Sequence, residues 1–195
     1  MARIGVLAVF LGLPGADAGA GNAEDCAQND DWRRKLAACT VSIDSGVQEG
    51  AVLGAAYLHR CHALVEMGES RRAVSDCNRA LRIDPENAEA YRLRGIAYQD
   101  QGRYRRAVQS YDEALRIDPQ LAGAYQGRGF AHKALGEYSN AARDWELAII
   151  AGGAERAKWW QRRLKDNGYF GGETDGVFGP GTRQGLIGCA EDPEC

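Results

Sequence analysis

Histidine is scarce in this chain of 195 residues, and neither sign of charge is in clear excess. Each shortage excludes something. The three histidines, His59, His62 and His132, form no HExxH or comparable constellation. There is also no G-x-S-x-G, P-loop or dinucleotide fingerprint, so the chain reads as non-enzymatic, with no catalytic residue, metal or cofactor expected. With 24 basic against 27 acidic residues and a formal charge of −3, the whole chain has no attraction for phosphate backbones or anionic lipid. Nucleic acid is therefore not an expected partner, and Arg-rich patches have to be read locally. A membrane span needs roughly 20 continuous apolar residues. The apolar run from Ile4 to Leu13 falls short of that and is broken by Pro14 and Asp17.

What the first residues do contain is a positive start at Arg3, that short apolar run, and small-residue cleavage sites at Ala16-Asp17-Ala18 or Ala18-Gly19-Ala20. These are the parts of a secretory signal peptide, placed at 1–20. A periplasmic or secreted location in a bacterial cell envelope is expected, with no stable membrane insertion once the signal is cut. No cysteine directly follows the apolar run, against a lipoprotein anchor.

Six cysteines follow: Cys26, Cys39, Cys61, Cys77, Cys189 and Cys195. An even count in an exported chain suggests three disulfides. Six cysteines allow 15 connectivities, and pairing neighbours gives Cys26 with Cys39, Cys61 with Cys77 and Cys189 with Cys195. A zinc site is the alternative, with no CxxC and only His59 and His62 nearby.

The strongest signal is a period. Tyr57, Tyr91, Tyr125 and Trp159 stand 34 residues apart, each followed three positions later by Arg60, Arg94, Arg128 or Arg162. A fixed step of this length means stacked helical repeats whose product is a shaped surface. Gly68, Gly102 and Gly136 close the first helix of each pair. Asp84-Pro85 and Asp118-Pro119 end the second, because a residue before proline is pushed out of the helical region. The middle unit reads Tyr91, Arg94-Gly95, Tyr98, Gly102, Tyr104, Ala107, Tyr111, Ala114 and Pro119. It resembles the tetratricopeptide repeat, W-x2-L-G-x2-Y, A-x3-F, then P.

The expected fold is all-α: an α-solenoid of tetratricopeptide-type helix pairs with a small C-terminal helical cap. Its units are 24–53, a degenerate leading repeat containing a helix from Trp32 to Ser45, then 54–87, 88–121 and 122–155, with 156–195 as capping helix and tail. Two readings compete for the arginine column. In one, Arg60 and Arg128 pair with Asp76 and Asp144, sixteen residues on, while Asp112 substitutes for Arg94 because Ser110 replaces its aspartate. In the other, the guanidinium forks receive a carboxylate or phosphate. The resemblance implies a concave face lined by Leu58, His62, Val65, Arg92, Ile96, Gln99, Gln126, Phe130 and Lys133, suited to a protein or peptide partner.

The tail reads Gln161, Leu164, Gly168-Tyr169, Asp175-Gly176, Phe178-Gly179 and Thr182. It resembles the first half of the small helical peptidoglycan-binding domain, Q-x2-L-x3-G-Y-x-x-G-x-x-D-G-x-[FY]-G-x-x-T, over about thirty-five residues. The family's second turn and closing helix have no counterpart before Cys195. Gly185 and Gly188 also stand where the family has helix formers, each costing up to about 1 kcal/mol. Trp159 and Arg162 place the first tail helix in phase with the repeats. The tail is then either a peptidoglycan tether or a cap on the last repeat. The expected function is an exported adaptor; the alternatives are an accessory subunit of an envelope enzyme or complex, and an intracellular repeat protein whose leader stays uncut.

Overall fold

The structure, a computed structural model, describes residues 24–28 and 30–195. The expected signal peptide lies outside the described residues. Among them the chain is helical throughout, with no strand. A helical turn over 24–28 precedes α1 (Trp32–Asp44). There follow α2 (Gly50–Glu66), α3 (Ser70–Ile83), α4 (Ala88–Asp100), α5 (Tyr104–Ile117), α6 (Ala122–Ala134), α7 (Tyr138–Asp166) and α8 (Pro180–Glu191).

Local chemistry sets the helix ends. Gly68, Gly102 and Gly136 follow the first helices at φ 72, 69 and 77°, a region costly for any residue with a Cβ. The second helices stop at Ile83 and Ile117, each capped by the aspartate before proline. Asp31 caps α1 by accepting from the Arg33 and Arg34 amides at 2.9 and 3.1 Å, and Asn87 caps α4 by accepting from Ala90 N at 2.9 Å. The leading unit holds one full helix, α1, whose middle is tied to the 24–28 turn by a Cys26–Cys39 disulfide, and α2 begins at Gly50, before the step of 34 would place it.

One slot explains how the pairs hold together. In repeats two and three a glycine on the first helix faces an aromatic sixteen residues later: a Cβ on Gly95 would lie 2.6 Å from the Tyr111 ring, and one on Gly129 would lie 2.4 Å from Trp145 Nε1. A Cβ on Gly127, from the next repeat, would meet the same ring as closely, at 2.4 Å. In repeat one the same slot is filled by the Cys61–Cys77 disulfide, with Cα atoms 5.5 Å apart. A covalent bond there replaces a ring packed on a glycine.

The end of the array departs from the expected register. Between α3 and α4 the chain spends residues 84–87 on the connection, and between α5 and α6 residues 118–121. After repeat three the break is the single residue Gly153, φ 66° and ψ −160°, inside α7. Losing most of the connection rotates the following segment. Trp160, not Trp159, turns inward and is fully buried against Trp145, ring centroids 4.8 Å apart, while Trp159 stays 40% exposed. Trp159 and Arg162 are therefore not in phase with the repeats: Arg162 is exposed, and Trp159 meets Arg163 instead, 5.8 Å from its ring. The second segment of α7 and α8 close the stack around Trp145, Trp160, Leu164, Leu186 and the Cys189–Cys195 disulfide.

Candidate functional site

The arginine column is a ladder of pairs. Arg60 donates to both carboxylate oxygens of Asp76 at 2.6 and 3.0 Å, and Arg128 to both of Asp144 at 2.8 and 2.7 Å. Each guanidinium also sits over the tyrosine three residues before it: 5.6 Å for Arg60 on Tyr57, 4.9 Å for Arg94 on Tyr91 and 5.5 Å for Arg128 on Tyr125. Arg94 differs from the expectation. It donates to Ser110 Oγ at 3.2 Å and Asn78 Oδ1 at 2.9 Å, whereas Asp112 belongs to Arg128 at 2.6 Å. Burial works against the Arg128 charge, yet Asp144 and Asp112 together push its pKa above the ordinary arginine value. The forks are thus engaged within the chain.

The expected concave-face residues divide into three groups. At the N-terminal end, Val65 is buried in the core with Leu64, Leu93 and Leu36, so it offers nothing to a ligand. The His62 ring lies 4.9 Å from that of Trp32, and its Nε2 is 3.6 Å from Glu66. Burial holds the His62 imidazole below its usual pKa, and does the same to His59.

In the middle, Leu58, Arg92, Ile96 and Gln99 are half-buried. Arg92 grips Glu89 at 2.7 and 2.6 Å, and this carboxylate raises its pKa. Its stem lies along Gly123, where a Cβ would stand 3.3 Å from Arg92 Cδ. Gln99 Oε1 accepts from the buried Tyr111 hydroxyl at 3.3 Å. Apolar Leu58 and Ile96 beside a guanidinium and an amide form a surface of mixed character.

At the C-terminal end the chain's own tail covers the expected groove residues Gln126, Phe130 and Lys133. Arg156 donates to Gln126 Oε1. Phe130 lies under the tryptophans, 5.3 Å from Trp145 and 6.1 Å from Trp160, with the Arg163 guanidinium 5.8 Å from its ring. Lys133 Nζ donates to the Cys189 carbonyl at 3.1 Å, and burial lowers its pKa. The cause is the rotation at Gly153, for which a period of 34 gives no signal. The pair Gly152-Gly153 in place of the usual Asp-Pro was the visible clue.

The tail motif is a hydrogen-bonded unit built on Gln161, which is fully buried. Its Nε2 donates to Asp175 Oδ1 at 2.8 Å and to the Val177 carbonyl at 3.0 Å, and its Oε1 accepts from Gly176 N at 2.9 Å. Asp175 also accepts from Val177 N at 2.9 Å, and these bonds hold its carboxyl below the usual range. Gly176 has φ 81° and packs so closely that a Cβ would meet the Ala154 carbonyl at 3.0 Å. Gly168, φ 79°, ends α7, and Gly179 with Pro180 opens α8. Leu164 and Thr182 are buried, Phe178 is half-buried beneath Arg183, and the Tyr169 hydroxyl donates to Asp192 at 2.5 Å. Gly185 and Gly188 have a positive role, contrary to the reading of them as helix weakeners. A Cβ on Gly185 would lie 2.7 Å from the Tyr169 carbonyl, and one on Gly188 would lie 2.7 Å from the Tyr169 ring. Close packing of α8 on the Tyr169 segment requires both.

Among the described residues, no three His, Cys, Asp or Glu side chains are grouped to hold a metal ion, and no helix is long and apolar enough to cross a membrane. Residues 60–122 match the tetratricopeptide repeat family. The solenoid is tetratricopeptide in type. Solved structures agree in fold. The crystal structure of MamA is 21% identical, with 70% of this chain and 81% of that one covered and a TM-score of 0.58. A thermophilic TPR protein of Thermus thermophilus is 15% identical, covering 77% and 83%, with a TM-score of 0.62. The Arabidopsis OM64 TPR domain is 27% identical, covering 60% and 95%, with a TM-score of 0.52. No curated protein matches the chain by sequence. Tetratricopeptide repeats generally mediate protein–protein interaction.

Proposed function

We propose that the protein is an exported, non-enzymatic adaptor that takes a protein or peptide segment on the middle of its tetratricopeptide surface. The observation that carries this is the half-buried set Leu58, Arg92, Ile96 and Gln99, which lies N-terminal to Gln126 and Lys133, the residues that the chain's own tail engages. An apolar strip flanked by a guanidinium and an amide suits an extended peptide, whose side chains fill the strip while its backbone meets the polar groups. Export rests on the leader at 1–20, outside the described residues. All six cysteines stand in disulfides, as suits an oxidising compartment such as the periplasm.

The tail motif supports attachment to peptidoglycan by resemblance only. A second reading is favoured by a specific observation: Gln161, Leu164 and Thr182 point inward and are spent on internal packing. On that reading the protein is an accessory subunit of an envelope complex, and 156–195 is solely a cap. Sedimentation with purified sacculi separates the two. Retention in the pellet, lost when Tyr169 or Phe178 is changed to alanine in a folded variant, supports the tether; a protein wholly in the supernatant leaves the cap.

A further inference from the structure

Two successive repeats carry the same pair of arginines at the start of the second helix: Arg71 and Arg72 in α3, Arg105 and Arg106 in α5. All four are exposed. A helix N-terminus carries partial positive charge and favours acidic residues in its first turn, yet neither α3 nor α5 has one there. Arg103 even occupies the N-cap position of α5 and gives no side-chain cap. The third repeat has Ser139 and Asn140 at the matching places. Charge is therefore set against local stability on two repeats and not on the third. Glu69 at the N-cap of α3 pairs with Arg72 and the Tyr98 ring lies under Arg103 and Arg106, so the offset within the chain is partial, and the same arginine pair on both repeats marks a surface kept for contact with another molecule.

Each pair borders a shallow depression, one of about 440 Å³ lined by Arg71, Arg72 and Gln101, the other of about 370 Å³ lined by Arg103, Arg105, Arg106 and Leu135. Gln101 and Leu135 are themselves 34 residues apart, so these are one feature repeated. Three carboxylates stand nearby. Glu69 holds Arg72 at 2.6 Å, Asp100 accepts from Ser70 Oγ at 3.4 Å, and Glu137 is engaged by His132 at 2.6 Å. The guanidiniums of Arg103 and Arg106 lie 5.2 and 5.9 Å from the Tyr98 ring. Five arginines against three carboxylates leave this edge positive on a chain of net negative charge.

We infer that this edge docks an acidic segment of another protein, whose carboxylates reach both depressions at once. Every cation at the two depressions is arginine, whose planar fork meets a carboxylate with two N–H groups. Neither depression presents an exposed large apolar side chain to enter a bilayer. The edge is separate from Leu58 and Ile96, so its failure leaves the concave-face reading standing.

The test is fluorescence anisotropy of labelled decaglutamate on the full chain, compared with R71Q/R72Q/R105Q/R106Q and with each pair variant alone. The expected result is binding at low salt that weakens steeply toward about 0.15 M and drops at least about tenfold in the quadruple variant. Each pair variant falls between, and decaglutamine does not bind. The quadruple variant melts no lower than the parent, because its arginines oppose the helix dipole. Equal binding by the quadruple variant, no binding by the parent, or full loss from one pair alone overturns the proposal. So does arginine-dependent binding to phosphatidylglycerol vesicles without decaglutamate binding.

Discussion

Gly129→Ala isolates the slot that joins the two helices of each repeat. Alanine in a helix interior is favoured over glycine by about 1 kcal/mol, so helix propensity alone predicts stabilisation. Packing predicts the reverse. The new Cβ would lie 2.4 Å from Trp145 Nε1, 2.5 Å from Cδ1 and 3.2 Å from the Ala141 carbonyl oxygen. Relaxed contacts need about 3.5–4.0 Å, so the ring has to retreat by about 1 Å. It has nowhere to go: Trp145 is fully buried, with Phe130 at 5.3 Å on one side and Trp160 at 4.8 Å on another. Overpacking of this kind costs about 3 kcal/mol, the upper part of its usual range, which leaves a net loss of about 2 kcal/mol. For a chain of this size the melting temperature falls by about 4–8 °C, read by circular dichroism at 222 nm. Trp145→Phe supplies the companion variant, because Trp145 Nε1 has no hydrogen-bond partner to lose. The double variant is expected to be at least about 1 kcal/mol more stable than the two single losses imply, the signature of coupled neighbours. A Gly129→Ala protein that melts higher than the parent, or strict additivity in the cycle, refutes the argument.

Removing the disulfide of the same slot in repeat one, with Cys61→Ser and Cys77→Ser together, opens a loop of sixteen residues and lowers unfolding free energy by about 3 kcal/mol in a urea titration. Asp144→Asn leaves the half-buried Arg128 with only the exposed Asp112 and costs about 2–3 kcal/mol, while Asp112→Asn costs under about 1 kcal/mol; equal losses would contradict the ladder. Burial keeps the imidazoles of His59 and His62 below their ordinary value of 6.5, so the unfolded chain binds protons more readily. Stability from these groups is present above that value and lost as pH falls below it. The urea midpoint is expected to drop between pH 7 and 5, with a shallower slope in His59→Gln/His62→Gln; an unchanged slope refutes the assignment.

Where the chain follows its period, the sequence was readable because single residues carry the decision. Gly68, Gly102 and Gly136 stop helices by their positive φ, Asp84-Pro85 and Asp118-Pro119 stop the others by steric exclusion, and Arg60 and Arg128 find aspartates at a repeated spacing. Legibility ends where one residue's backbone angle controls many side chains. The turn at Gly153 determines that Trp160 goes inside, that Trp159 does not, and that Gln126, Phe130 and Lys133 are covered. Side-chain choice between neighbours was equally opaque: Asp112 is as near in sequence to Arg94 as an expected substitute should be, but the next repeat's Arg128 takes it. Gly185 and Gly188 looked like weak helix formers until Tyr169 was placed against them.

The proposed role requires that the half-buried set Leu58, Arg92, Ile96 and Gln99 receive a protein partner. Affinity capture from an envelope extract, with the parent compared to a Leu58→Asp/Ile96→Asp variant of unchanged helicity, decides whether it does. One protein is expected to be retained in stoichiometric amount by the parent and lost from the variant, while retention by both, or by neither, contradicts that role.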